Sequence, residues 1–372
     1  MRITALSTDH LRVPLARPGR VSLTDPAPAG PAAVDVILVR AETDAGLAGL
    51  GFAVVVGPGA ATVRALVDAE VSPLVIGADP RQPEKRFAAA EAHFRGVGFA
   101  GVAARAYSAV DVALWDIKAK AAGVPLWELL GAARAAAPFF ASDVAPGRPA
   151  VDVVKAAKPL LKQGATAIRI EVGGGDVRAD ADRVREINDG LGDDAAVCVA
   201  AEGRFDLGTA EALTHFFEDV GAEWFEDPLP ATDAIGYAKL AGMAEIPIAV
   251  GSSFATRDRF FQTVRDGVIR VVRPDVGRLG GITPLLKVAA VAEAFGVSVS
   301  PVRLPEVGVQ LVCGLPAVTR VDRVDWLADV FPGAIRASEG KLVPPAAPGL
   351  GLELAPDVGR WRVVGPVSNR PV

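Results

Sequence analysis

From about residue 138 onward, short apolar runs alternate with amphipathic helical stretches, and this alternation restricts the fold more than any other feature. The runs read "PFFASD", "ATAIRIEV", "AAVCVAAE", "AEWFED", "IPIAVGSS", "IRVVRPD" and "GVSVSP", with a weaker eighth near "AVTRVD". Helical periodicity falls between them, near 150–163, 178–191, 208–220, 233–243, 256–266, 281–295 and 306–315. Strand–helix units at this spacing build a parallel sheet, and eight of them suit a closed (β/α)8 barrel of the TIM type.

The chain before residue 138 has another character. Residues 1–14 and 34–42 read as strands, "TDAGLAGLG" as a turn, and the Pro-, Gly- and Ala-rich stretch 16–33 as a loop. Helical patterning covers 60–75 and 81–94 and is strongest in "RAYSAVDVALWDIKAKAAG", which Gly123 and Pro125 stop. The expected division is an α+β capping domain over 1–135, the barrel over 136–330, and a C-terminal segment, 331–372, that returns to the cap.

With 372 residues, 51% of them hydrophobic and 22% charged, the chain can bury a large core. A formal net charge of −5 argues against nucleic acid or an anionic membrane as partner. No apolar run approaches the roughly 20 residues that span a bilayer, and the N-terminus lacks the pattern of a signal peptide. Cys198 and Cys313 have no metal-type spacing, which suits a reducing, cytoplasmic setting.

In barrels of this kind, chemistry sits where the strands end at the C-terminal face. Several strands here end in charge: Arg169 and Glu171, then Glu202, then Glu226 with Asp227, then Arg273 and Asp275. In "AIRIEV" the two charges are two residues apart, so they share one side of the strand and are expected to face the barrel mouth.

The segments "VRAETDAGLAGLG", "VDVALWDIKAKAAGVPLWELLG", "WFEDPLP", "RPDVGRLGGI" and "PGLGLEL" resemble the enolase superfamily, in its mandelate racemase/muconate lactonizing branch. The resemblance runs over nearly the whole chain. It implies a cap over a barrel, with 16–33 and 52–60 covering the active site, and homo-oligomers as the usual assembly. The family's chemistry is abstraction of a proton α to a carboxylate, with Mg²⁺ stabilising the enediolate and Lys or His as bases.

Carried over position by position, many of those parts change. The family's Lys-x-Lys becomes Arg169-Ile170-Glu171. Its three metal carboxylates fall at Ala200 (or Glu202 by a shifted register), Glu226 and Ser252. The sixth-strand Asp is Asp275, its histidine partner falls at Val302, and an eighth-strand acid falls at Asp322. His10, His93 and His215 all lie away from strand ends.

Arginine keeps its proton at any working pH, so Arg169 cannot replace a basic lysine. We therefore expect carboxylates, Asp275 and Glu171, as candidate bases, and Arg169, Arg273, Arg303, Glu202 and Ser252 as groups around a small acid-type ligand. Glu226 is the one family metal ligand retained. No cofactor is expected, with Mg²⁺ as the alternative. The resulting function is metal-independent proton transfer, elimination or isomerisation; the alternatives are a non-catalytic binding or scaffold protein and a Mg²⁺-dependent racemase or dehydratase.

Overall fold

The computed structural model describes residues 1–15, 33–143, 148–267 and 269–364. The expected lid stretch 16–33 therefore lies, up to residue 32, outside the described residues.

Three antiparallel strands open the chain: β1 (Ile3–Pro14), β2 (Ala33–Thr43) and β3 (Ala48–Val55). The third is absent from the sequence reading, where "TDAGLAGLG" reads as a turn. Its glycines are there for packing. A Cβ at Gly51 would lie 2.0 Å from the Ala109 carbonyl oxygen, and one at Gly49 would lie 2.3 Å from that of Ala113. Only bare backbone lets β3 press against the long helix Val102–Ala122. That helix is apolar nearly all round because it is buried between this sheet and the barrel. It ends at Gly123, whose φ of 74° makes the left-handed stop.

Eight further strands follow: β4 (Phe139–Asp143), β5 (Ala167–Glu171), β6 (Ala196–Ala200), β7 (Trp224–Glu226), β8 (Ile248–Val250), β9 (Val271–Val272), β10 (Ser298–Val299) and β11 (Val321–Arg323). They pair in parallel in the order β10-β9-β8-β7-β6-β5-β4-β11. The ring closes where Val299 bridges to Val318 and Thr319 N–H donates to Val299 O at 2.8 Å. The fold is thus a (β/α)8 barrel with an N-terminal cap. Valine and other apolar residues on the strands' outer faces meet the surrounding helices in one continuous core.

The cap helix is tied to the barrel by buried polar contacts. Asp111 accepts from Thr283 N–H at 2.9 Å and from its hydroxyl at 2.6 Å, and Trp115 Nε1–H donates to the same hydroxyl at 2.9 Å. Asp116 accepts from Leu50 N–H and from Leu350 N–H, joining β3, the helix and the C-terminal segment. That segment reaches β1, where Val363 N–H donates to His10 O at 2.8 Å. Among the described residues no helix is long and apolar enough to cross a membrane.

Candidate functional site

Alternation along β5 turns Arg169 and Glu171 into the barrel, as their spacing predicts. In the register across the barrel, Glu171, Ala200 and Glu226 form one row, and Arg169, Cys198 and Trp224 the row below. Small Ala200 between two carboxylates leaves room for a guanidinium to rise from the lower row.

Arg169 fills that room. Its Nε donates to Glu226 Oε2 at 2.9 Å, its Nη2 to Glu226 Oε1 at 3.1 Å and to Glu202 Oε1 at 2.6 Å, and its Nη1 lies 3.5 Å from Glu171 Oε1. Three carboxylates from three successive strand ends thus surround one cation, which is 3% exposed. Glu226 also accepts from Arg273 Nε at 3.0 Å, and Arg273 Nη2 donates to Asp322 Oδ2 at 2.8 Å. The Arg273 guanidinium lies 4.9 Å from the Phe140 ring centre and 5.5 Å from that of Trp224, so its charge is met by π faces as well as by acids.

These partners set the titration of the acids. Burial alone would raise Glu226, but Arg169 and Arg273 outweigh it and hold the carboxyl at about 2. Burial likewise opposes ionisation of Glu202, yet Arg303 and Arg169 keep it below its ordinary value. Glu171 goes the other way: burial and then the charge of Glu202 push it up to about 7, against Arg169 and Arg204.

Above this network, between cap and barrel, lies a cavity of about 440 Å³. Its charged lining residues are Arg105, Asp275, Arg278 and Arg303. Asp275 caps the short helix Val276–Leu279, accepting from Gly277 N–H at 2.7 Å and Arg278 N–H at 3.1 Å. Around it stand Arg105 Nη2 at 3.7 Å, Arg303 Nη1 at 3.6 Å and Arg278 Nε at 3.8 Å. Burial opposes the Asp275 charge, but Arg105, Arg303 and Arg278 hold its pKa below the usual carboxylate range. Arg105 Nη1 donates to the Val54 carbonyl at 2.6 Å, fixing it from the cap side. Arg278 Nε–H is buried without a hydrogen-bond partner.

The backbone at the mouth is held in unfavourable conformations. Glu202, Asp227, Arg303 and Leu304 have φ of 54°, 41°, 60° and 38°, in the left-handed region that ordinary residues avoid. All four follow barrel strands, where the chain must turn sharply to present a side chain. Arg303 is presented in this way, reaching Asp275 with one nitrogen and Glu202 with the other, at 3.4 Å.

The residues singled out in the sequence therefore separate into two places. Arg303 and Asp275 line the cavity. Arg169, Glu171, Glu202, Glu226 and Arg273 form the network beneath it. Ser252, 1% exposed, gives its hydroxyl to Asp227, which also accepts from Gly251 N–H at 2.9 Å. Arg105 and Arg278 are missing from the sequence reading. Arg105 sits in a cap helix far from any strand end, and Arg278 opens the "RLGGI" stretch, which reads as a tight turn and helix start after the sixth barrel strand. No local signal marks Arg105, whose place over Asp275 is set by how the cap helix lies on the barrel; Arg278 follows Asp275 by three residues in "RPDVGRLGGI", and that spacing is the one signal that could have found it.

Residues 13–131 match the family described as Mandelate racemase / muconate lactonizing enzyme, N-terminal domain, and residues 152–358 match Enolase C-terminal domain-like. The 3,6-anhydro-alpha-L-galactonate cycloisomerase of Streptomyces coelicolor is 31% identical over 353 residues, covering 95% of this chain and 97% of the relative. The L-talarate/galactarate dehydratase of Salmonella typhimurium is 30% identical over 329 residues, covering 88% and 82%. Among solved structures, a racemase from Streptomyces coelicolor with bound magnesium superposes with a TM-score of 0.90 at 30% identity, over 97% of this chain and 100% of that one. An L-talarate dehydratase from Polaromonas, complexed with Mg and L-glucarate, gives 0.87 at 30%, over 98% of each.

The expectation that no cofactor takes part is overturned by these structures, since proteins of the same fold and similar sequence carry magnesium. The error came from counting Glu226 alone, whereas the fold brings Glu171 and Glu202 to it. Three carboxylates suit a hard cation in their chemistry. As the side chains stand, however, their oxygens close on Arg169, and among the described residues no group of three His, Cys, Asp or Glu side chains is disposed to hold a metal ion. The set does not fit the ion in this arrangement. Fold, full-length sequence similarity and the match over both domains agree: this chain belongs to the enolase superfamily, in its mandelate racemase/muconate lactonizing enzyme branch.

Proposed function

We propose that the protein binds a small carboxylate-type acid in the cavity between cap and barrel and acts on it by the lyase or isomerase chemistry of its relatives. The observation that carries this reading is the gathering of Arg105, Arg278 and Arg303 around a single lining carboxylate, Asp275. Three guanidinium groups facing one acid leave donors for a second carboxylate, which arginine binds bidentately. The named activities of the relatives, a cycloisomerase and sugar-acid dehydratases, point the same way.

The roles follow from the surroundings of each group. Arg105, Arg278 and Arg303 hold the ligand's carboxylate. Asp275 stays ionised and keeps those arginines together, which makes it a poor proton acceptor. Glu171, beneath the cavity and with a pKa raised to about 7, is an acid able to take or release a proton near neutrality, as is Asp227, also raised to about 7 by burial. The Arg303 charge bears on both Asp275 and Glu171, and so links cavity and network. Arg169 and Arg273 hold Glu226 ionised beneath.

The test is α-proton exchange. A panel of carboxylic acids is incubated with the protein in D2O, with and without Mg²⁺, and followed by NMR. Deuterium enters at least one acid with the wild type and fails to enter with Glu171→Gln or Arg303→Ala. Absence of both binding and exchange across the panel, in either buffer, removes the reading.

A further inference from the structure

The cavity's charged groups are confined to one place, since all three guanidiniums lie within 3.8 Å of the same Asp275 carboxylate. The rest of its wall is of another kind. Val54, Val56, Val63, Val102, Leu304 and Trp326 line it, and among the described lining residues there is no Ser, Thr, Asn, Gln, Tyr or His side chain. Val102 is 40% exposed at this wall, whereas Val54, Val63 and Trp326 are 4%, 2% and 9% exposed, so the apolar surface that the described residues leave open lies at Val102.

A ligand with a hydroxyl on every carbon would leave those groups desolvated against valine with no replacement hydrogen bonds. A hydrocarbon body would instead cover the open face of Val102 and lie against side chains that ask for no hydrogen bond. We propose that the ligand is a monocarboxylic acid with a hydrocarbon body, its carboxylate on Arg105, Arg278 and Arg303 and its body against Val54, Val63, Val102 and Trp326. This inference rests on the anion-binding reading above and separates the chain from its sugar-acid relatives. Specificity of this kind comes from both halves of the pocket: the arginines demand an anion, and the valines reject a polar body.

Calorimetry on the full chain in magnesium-containing buffer tests it, with 4-phenylbutanoate and D-gluconate as probes. The aromatic acid is expected to bind at least tenfold tighter than gluconate. Val102→Ser, at a half-exposed position, is expected to weaken 4-phenylbutanoate at least threefold and leave gluconate unchanged. Arg105→Ala is expected to weaken 4-phenylbutanoate at least tenfold, with Arg278→Ala as a second head-group variant should the first fail to fold. Gluconate binding as tightly as 4-phenylbutanoate, and weakened by the arginine variants, overturns the hydrocarbon inference and leaves the anion site standing. Binding of neither acid, or binding indifferent to both arginine variants, overturns the anion site as well.

Discussion

Arg273 and Glu226 are each 0% exposed, and Arg273 Nε donates to Glu226 Oε2 at 3.0 Å in the centre of the barrel. Two charges at such depth are sustained only because each has further partners: Asp322, Ser300, Phe140 and Trp224 for the arginine, Arg169 for the glutamate. Removing one member strands the others. Arg273→Met is expected to lower unfolding stability by about 3–5 kcal/mol, the usual effect of breaking a buried ion pair from one side. Denaturant unfolding monitored by tryptophan fluorescence reads this directly. A change under 1 kcal/mol would mean that water reaches the pair.

Arg169 and a divalent ion would compete for the same oxygens. Arg169→Ala leaves Glu171, Glu202 and Glu226 facing one emptied space, where their mutual repulsion favours a cation. Mg²⁺ and Mn²⁺ are expected to bind this variant at least tenfold more tightly than the wild type in calorimetry. Equal affinity would show that the guanidinium does not block the ion.

Asp275 shares its arginines with any incoming acid. Asp275→Asn keeps a side chain able to cap Val276–Leu279 but removes the competing charge. Binding of a carboxylate ligand is expected to tighten by about tenfold, equivalent to roughly 1.4 kcal/mol. If Asp275 were instead the proton acceptor, this variant would bind and yet exchange no α-proton.

Glu306, in the first turn of the helix Pro305–Gly314, is 2% exposed, and its Oε2 has no hydrogen-bond partner. Burial pushes its pKa up to about 8. The unfolded carboxyl ionises near pH ~4.3, so the folded state binds more protons between there and about 8, and stability falls as pH rises through that window. Glu306→Gln is expected to match the wild type near pH 4.5 and to exceed it by on the order of 5 kcal/mol near pH 8, at ~1.4 kcal/mol per pKa unit. Thermal unfolding at the two pH values decides it; equal gains at both would place the effect in packing rather than in the proton.

Much of the fold was legible because its signals are periodic. The strand "ATAIRIEV" sits where "AIRIE" pairs, at Ala167–Glu171, and the helix expected at 178–191 runs Val177–Leu191. β3 was missed because Gly49 and Gly51 answer to a helix more than fifty residues away, which no local pattern shows. The inward side of Arg169 and Glu171 followed from alternation alone. Their partners did not: that Arg169 gathers Glu202 and Glu226 depends on the barrel's register, and counting ligands position by position hid the cluster. Arg105 escaped for the same reason, since its place over Asp275 is set by how the cap helix lies on the barrel.

The helix Val102–Ala122 is fastened to the barrel through Asp111 and Trp115 and to the C-terminal segment through Asp116, while its first turns carry Val102 and Arg105 into the cavity. A rod clamped along its length, and held at its tip by Arg105 to Val54, cannot swing aside to admit a bulkier guest. Exchanging Val102 at that tip would retune what the protein accepts without disturbing the ion pairs of Arg105 and of the network below, so selectivity and chemistry can drift apart on separate side chains of one chain.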